Sequence, residues 1–375
     1  MNLEFLKCLF IIIMRQALKI SYILPMKNNR VIFESFSGEG YNCNPKYISD
    51  ELYKKYGNKI EIVWALKDVK KGPDYAIICK YRSLKHILYR ITSKVYVCNF
   101  LQITEIPKRR KQVEIQTWHG GGCYKKVGKE EKERNAIYNY RRDKHIKETD
   151  YFITSSEYWE REVMKKQFGY TGKALSIGMP RNDCLVNKID DNKYQAIRNS
   201  IGLKSDEYFV LYAPTWREGF DEFPQIDEKR IIHAFEERFG KKVVLAFRAH
   251  LYGKEKNTSM LNLTDYPDMQ ELLCVCDALI TDYSSSMWDY SLTRKPCFLY
   301  VPDLKRYIEQ RGFDKDIYTW GFPICVNNED LEYAIYSVDL FDIERKMQNH
   351  QLDLGSFEKG QATSKVVKLI ADICK

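Results

Sequence analysis

The stretch "QTWHGGG" (116–122) sets one histidine beside three glycines at the end of a short apolar run, "VEI". A turn needs one glycine, seldom three. Three in succession strip the backbone of side chains and open a space next to the His119 imidazole, with Gly120 and Gly121 at its edge. A histidine with access to a substrate hydroxyl is a natural general base near neutral pH; the plainer alternative is a histidine hydrogen-bonded within a turn. A second group lies in "ITDYSSSMWDYS" (280–291). An apolar run ends at Thr281, a tight turn carries Ser284 and Ser285, and a helix is expected to begin near Met287. Unpaired amides and hydroxyls at such a turn suit a phosphate. Ser286 and Asp289 have capping-box spacing, which explains those two but not Ser284 and Ser285. "FRAH" places Arg248 and His250 two apart, on the same side of a strand end, where a cation and an imidazole would converge on a pyrophosphate or form a plain surface pair. "APTWRE" offers Thr215 and Arg217 around Trp216, a residue for stacking on a base or for the core. Asp282 and Asp289 are the only acidic candidates nearby. With no carboxylate cluster to hold a divalent cation, no essential metal or cofactor is expected.

The elements that position these residues are legible as apolar runs. "RVIFESF", "IEIVWAL", "YAIICK", "KVYVCNF", "VEIQTW", "YFITSS" and "ALSIG" come first; "YFVLYAPTW", "KKVVLAFRAH", "DALITDYSS", "KPCFLYVPD" and "FPICV" follow. Helical patterns lie between, including 187–200, "DEKRIIHAFEERFG" and "DMQELLCVC". Near-continuous apolar strands alternating with helices indicate parallel sheets covered on both faces. Two such sets in tandem imply an α/β protein of two doubly wound, Rossmann-type domains facing a cleft. A boundary is expected between Asp183 and Asp206, giving an N-terminal segment 1–29, a first domain 30–186 and a second 187–375. Ligands in such sheets lie at the C-terminal strand ends, where Gly38 and Gly40, Arg181 and Asn182, and the groups above all fall. The remaining histidines, His86, His145, His233 and His350, stand in helical or polar stretches and are expected to be exposed.

The 375 residues suit two domains, and the net charge of +9, spread along the chain, suits acidic partners. Eleven cysteines occur without a CxxC pair; Cys274 and Cys276 form a CxC on a helical segment and read as core. Reduced thiols in a cytoplasmic protein are expected, not a disulfide framework or zinc site. The apolar N-terminus is interrupted by Glu4, Lys7, Arg15 and Lys19, too short between charges to span a bilayer. It is either a helix packed on the body or an interfacial helix on the inner membrane face. HExxH, GxSxG, Walker A and GxGxxG are all absent, which excludes the zinc protease, α/β-hydrolase, P-loop and dinucleotide classes.

The stretches "FESFSGEGYNCNPKYISDEL", "QTWHGGGCYKKVG", "SIGMPRNDCL", "VLYAPTWRE", "FRAH" and "DALITDYSSSMWDYSLTRKPCFLYVPDLKRYIEQRGF" resemble, in order over 31–313, the CDP-glycerol glycerophosphotransferase family of teichoic acid and capsular polymer synthesis. The family continues its histidine motif with glycine, threonine and proline, where this chain has Gly120, Gly121 and Gly122. The resemblance implies a GT-B-like fold. The donor, CDP-glycerol or a related CDP-alditol, would be held by Arg181, Thr215, Arg217, Arg248, Ser284, Ser285 and Asp289. The acceptor, a hydroxyl on a lipid-linked saccharide or poly(alditol phosphate), would lie by Gly38, Gly40, Gly120 and Gly121. His119 would be the base and His250 a stabiliser of the departing CMP, at the cytoplasmic face of a bacterial membrane. A nucleotide-sugar glycosyltransferase of the same fold is the alternative reading. An RNA-binding module, suggested by the charge and 27 tyrosines, lacks any RNP or helix-turn-helix pattern, so no nucleic acid partner is expected.

Overall fold

A computed structural model describes residues 3–100, 105–122, 124–131, 135–215, 223–249 and 259–375. The first sheet has seven strands: β1 (Lys27–Glu34), β2 (Glu61–Leu66), β3 (Ile77–Lys80), β4 (Ser93–Cys98), β5 (Val113–Gln116), β6 (Tyr151–Thr154) and β7 (Lys173–Ser176). They run parallel in the order β3-β2-β1-β4-β5-β6-β7. The second has six: β8 (Tyr208–Tyr212), β9 (Val243–Phe247), β10 (Leu261–Asn262), β11 (Ala278–Thr281), β12 (Cys297–Tyr300) and β13 (Ile324–Cys325), parallel in the order β10-β9-β8-β11-β12-β13. Each sheet has a topological switch point, between β1 and β4 in the first and between β8 and β11 in the second. Helices cover both faces, so Val31, Ile32 and Phe33, or Val63, Trp64 and Ala65, are successive yet all buried. That double coverage is why the strands read as unbroken apolar runs. β10 gave no such signal because Leu261 is half-buried and Asn262 exposed.

The compact units are not two consecutive halves. One contains Met1–Gly121, Val127–Asp183 and Phe357–Lys375; the other contains Gly122–Lys126 and Cys184–Ser356. Both departures have a packing cause. Tyr124 is 1% exposed, with its ring against Trp288 and Trp320 and its hydroxyl 3.2 Å from His350 Nε2. At the other end, the helix Ala362–Ile373 buries Val366, Val367 and Ile370 in the same core as Ile48 and Leu52. Its first amides, Ala362 N and Thr363 N, donate to the Asp183 carboxylate at 3.0 and 2.8 Å, and Asn182 Nδ2 donates to Glu358 at 3.0 Å. Two residues of "PRND" therefore hold the returning C-terminal segment.

The N-terminal helix Leu3–Leu18 is docked through one side only. Ile11 and Arg15 are buried, Arg15 pairs with Glu148 and donates to Ile106 O. Phe5, Phe10, Ile12, Ile13, Ile20 and Ile23 stay exposed. Among the described residues no helix is long and apolar enough to cross a membrane.

Candidate active site

The first sheet ends in a shell of strained backbone. Phe36 (φ 45°), Ser37 (56°), Cys43 (58°) and Trp118 (52°) all adopt the left-handed region, at a cost on the order of 1 kcal/mol or more each. They persist because side chains pin them. Asn99, fully buried just past β4, accepts from Phe36 N at 2.8 Å through Oδ1 and donates to Ser35 Oγ at 3.0 Å. Trp118 N donates to Gln116 Oε1 at 2.8 Å, and Trp118 O accepts from Asn44 Nδ2 at 2.9 Å. His119 follows, half-buried, with its Nδ1 2.8 Å from Asn99 O. A carbonyl can only accept, so Nδ1 carries the proton and the neutral ring has its lone pair on Nε2. Phe36, Phe100 and Trp118 pack on the imidazole with ring centroids 5.0, 5.6 and 4.5 Å away. The histidine therefore stands over the β1–β4 switch point with its tautomer set by the backbone.

The glycines have a different cause from the one expected. A Cβ on Gly121 would lie 2.9 Å from Met179 Cγ and 3.1 Å from Ser155 Cβ, and one on Gly122 would lie 2.6 Å from Trp288 Cβ. Close packing, not open space, excludes side chains there. Both carbonyls after His119 are also held, Gly120 O by Trp159 Nε1 at 2.8 Å and Gly121 O by the Ser155 hydroxyl. Gly38 sits at φ 81° against Tyr81 and Gly40 against Asn42. Arg181 belongs to the same unit: it is buried, its N donates to Asn44 Oδ1 at 3.0 Å, and Nη1 donates to Cys43 Sγ at 3.2 Å.

Thr215, Arg248 and the Ser284–Ser285 pair follow the C-terminal ends of the adjacent strands β8, β9 and β11, and Asp289 lies on the helix after the serines; Arg217 and His250 lie outside the described residues, as does Trp216. Thr215 donates twice to the buried Asp282 carboxylate, from N at 2.8 Å and Oγ1 at 2.5 Å, which ties the ends of β8 and β11. Arg248 donates to Tyr266 O at 2.6 Å, and burial lowers its guanidinium pKa, against the pull of Asp268. The helix after the serines is Ser286–Ser291, one residue earlier than expected. Ser284 Oγ accepts from Ser286 N at 3.3 Å and Ser286 Oγ at 2.9 Å, so capping accounts for Ser284 and not for Ser286. Ser285 makes no capping bond. Asp289 is buried and accepts from Gln270 Nε2 at 2.8 Å.

Three of the four histidines expected at the surface are buried: His86, His145 and His350. His233 is exposed. His86 lies 2.6 Å from Glu34 and His145 2.6 Å from Glu114, with Arg90 3.9 and 3.8 Å from the two carboxylates and 3.2 Å above the Tyr96 ring. Burial alone would raise both glutamates, but the histidines and Arg90 hold them below the usual carboxylate value. Cys98, Glu114 and His145 bring ligand-type atoms within 4.8 Å of one another. The adjacent guanidinium and the His145–Glu114 contact make this a charge network, since a cation there would face Arg90. Sequence reasoning missed Asn44, Asn99, Gln116, Ser155 and Trp159. Asn44 lies within the quoted "YNCNPKY" and Ser155 follows an apolar run, but the partners of each are remote in sequence.

A family model described as CDP-Glycerol:Poly(glycerophosphate) glycerophosphotransferase matches residues 16–372. The chain is 28% identical to a teichoic acid poly(glycerol phosphate) polymerase of Bacillus spizizenii, over 93% of this chain and 94% of that one. It is 29% identical to a teichoic acid glycerol-phosphate transferase of Staphylococcus aureus, over 92% and 94%. A solved structure of the wall teichoic acid polymerase TagF superposes with a TM-score of 0.81 at 27% identity, covering 100% of this chain and 99% of that one. With the family model spanning nearly all of it, the chain belongs to the CDP-glycerol:poly(glycerophosphate) glycerophosphotransferase family, as an enzyme of GT-B-like fold.

Proposed function

We propose that the chain moves a phosphoglycerol unit from CDP-glycerol to a hydroxyl of a poly(glycerol phosphate) or lipid-linked acceptor, releasing CMP at the inner face of the membrane. The acceptor hydroxyl gives its proton to His119 Nε2 as its oxygen attacks the β-phosphorus. The bond from that phosphorus to the bridging oxygen breaks, and CMP leaves with the electron pair. His250, Arg248, Arg217, Arg181, Thr215 and Ser285 serve the diphosphate, where positioning and fixed positive charge do most of the work. Asp289 takes a donor hydroxyl. Gly38, Gly40, Gly120 and Gly121 line the acceptor side. The observation that carries this reading is the His119 Nδ1 to Asn99 O contact of 2.8 Å, which leaves the basic lone pair on Nε2.

Replacing His119 by Ala should lower CMP release with CDP-glycerol and a short soluble acceptor by about 10²- to 10⁴-fold. Donor affinity by calorimetry should hardly change, because a base acts mainly in the transition state. Transfer within a few fold of the parent overturns the base assignment. The membrane part rests on the one-sided docking of the N-terminal helix, whose exposed Phe5, Phe10 and Ile13 lie in sequence between the exposed Lys7 and Lys19 or beside them. Deleting residues up to Leu24 should release the protein from anionic liposomes while soluble-acceptor activity persists. Unchanged liposome binding refutes it.

A further inference from the structure

Asn44 sits where three pieces of the first unit meet. It is the second residue of the helix Cys43–Tyr56, directly after Cys43 with its left-handed backbone, and its side chain is fully buried. Its amide is used on both sides. Nδ2 donates to Trp118 O at 2.9 Å, with Thr117 O at 3.4 Å. Oδ1 accepts from Arg181 N at 3.0 Å. One rigid, planar group thus links the peptide immediately before His119 to the turn that carries Arg181.

The link matters because Trp118 is strained. At φ 52° a bulky residue gains by relaxing to negative φ. Such a change would reorient the next residue and carry the imidazole away from Asn99 O. Gln116 Oε1 fixes the amide side of Trp118, and Asn44 fixes the carbonyl side with help from Thr117 Oγ1 at 3.1 Å. Of these anchors, Asn44 alone comes from a different element of the fold. Resting on the reading of His119 as base, we propose that Asn44 is a positioning residue: it locks the strained Trp118 peptide, keeps His119 protonated on Nδ1 toward Asn99, and holds Arg181 in register with it.

Asn44→Asp separates these roles with little change of shape. The carboxylate keeps an acceptor for Arg181 N but loses the donor and opposes Trp118 O. The expected result is a fall in kcat of about 10- to 100-fold, the scale of a misplacement near 1 Å, with the KM for CDP-glycerol within about threefold of the parent by the same positioning argument. The same substitution in the His119→Ala background should leave residual CMP release unchanged, since residues acting as a unit are non-additive. A residue needed only for folding would lower both backgrounds by the same factor. Nitrogen-15 spectra of the His119 ring provide a readout independent of turnover: one Nδ1-protonated tautomer in the parent and a mixture in Asn44→Asp. Equal losses in the two backgrounds, or an unchanged tautomer, overturn the proposal. If His119→Ala retains transfer, the base reading fails, and the tautomer measurement still judges Asn44.

Discussion

The two switch points solve one geometric problem by different means. At the β1–β4 edge the backbone itself is bent into costly conformations, Phe36, Ser37, Cys43 and Trp118, and buried asparagines and a glutamine hold it there. In the second unit the described non-glycine residues with left-handed backbone, Lys188 and Arg294, lie away from the C-terminal ends of β8 and β11, and the loops there are joined by a side-chain pair, Thr215 with Asp282. On the proposed function, the difference follows from what each edge would present. A general base needs one atom at one angle, so the imidazole is fixed by its own carbonyl contact and by the peptide before it. A diphosphate offers several equivalent oxygens, and hydroxyls, amides and a guanidinium can meet it without strain.

The two units should also part on acidification. His350, buried against Trp288 and Tyr124 in the second unit, has its pKa lowered to about 4 by burial and by Lys315, from an unfolded value of 6.5. The unfolded chain therefore binds a proton that the folded one refuses, and stability is lost as pH falls from about 6.5 toward 4. The loss is at most about 3 kcal/mol. In the first unit Glu34 and Glu114 lie below the ordinary carboxylate value of 4.5. Their contribution is complete above that value and fades only as pH falls through the lower folded values. Urea denaturation followed by hydrogen exchange should show second-unit amides losing protection between pH 6.5 and 4.5 while the β1, β4 and β5 amides keep theirs. Simultaneous loss would mean that the buried network around Arg90 is not what holds the first edge.

That network marks the limit of what the sequence discloses. The strands were legible because a strand buried on both faces is apolar at every position, as Ile62 through Leu66 are. The position of His119 just past a strand end was legible from the apolar run before it. The burial of His86 and His145 was not, because "SLKHILYR" and "RRDKHIKE" look like solvated helix faces and the partners that bury them, Glu34 and Glu114, are 52 and about 30 positions away. The strap through Tyr124 and the return of the last helix were hidden for the same reason. Composition and periodicity report an element's own faces, and not which distant element covers them. The triple glycine shows the converse: the sequence read it as open space, while its cause lay in close packing against Met179, Ser155 and Trp288.

The two serines at the second edge sharpen the contrast. Ser284 accepts the first helical amide, so Ser284→Ala should cost about 1 kcal/mol of stability, as lost caps do, with urea midpoints as the measure. Ser285 has no capping bond. Ser285→Ala should leave the midpoint within about 0.5 kcal/mol, the usual range for a surface change, and weaken CDP-glycerol binding by calorimetry. If Ser285→Ala leaves donor affinity unchanged, the second edge presents fewer donors to the ligand than the first edge spends on its histidine.

The smallest expected effect is the most direct test of strain. Ser37 and Lys188 have nearly equal left-handed backbones, φ 56° and 57°, but only Ser37 lies at the first edge, next to the Phe36 ring that packs on His119. Glycine adopts this region without a Cβ penalty, though it gives back part of the gain by loosening the unfolded chain. Lys188→Gly, at an exposed position, should therefore stabilise by about 0.5 kcal/mol and leave kcat unchanged. Ser37→Gly relieves the same penalty but frees the turn that presents Phe36 and surrenders the Ser37–Tyr81 hydrogen bond. It should gain no more stability than Lys188→Gly, and kcat should fall by a few fold, since the imidazole then packs on a looser wall. Equal stability gains with kcat unchanged in both would show that strain at the first edge is incidental, and that the carbonyl contacts alone set the histidine.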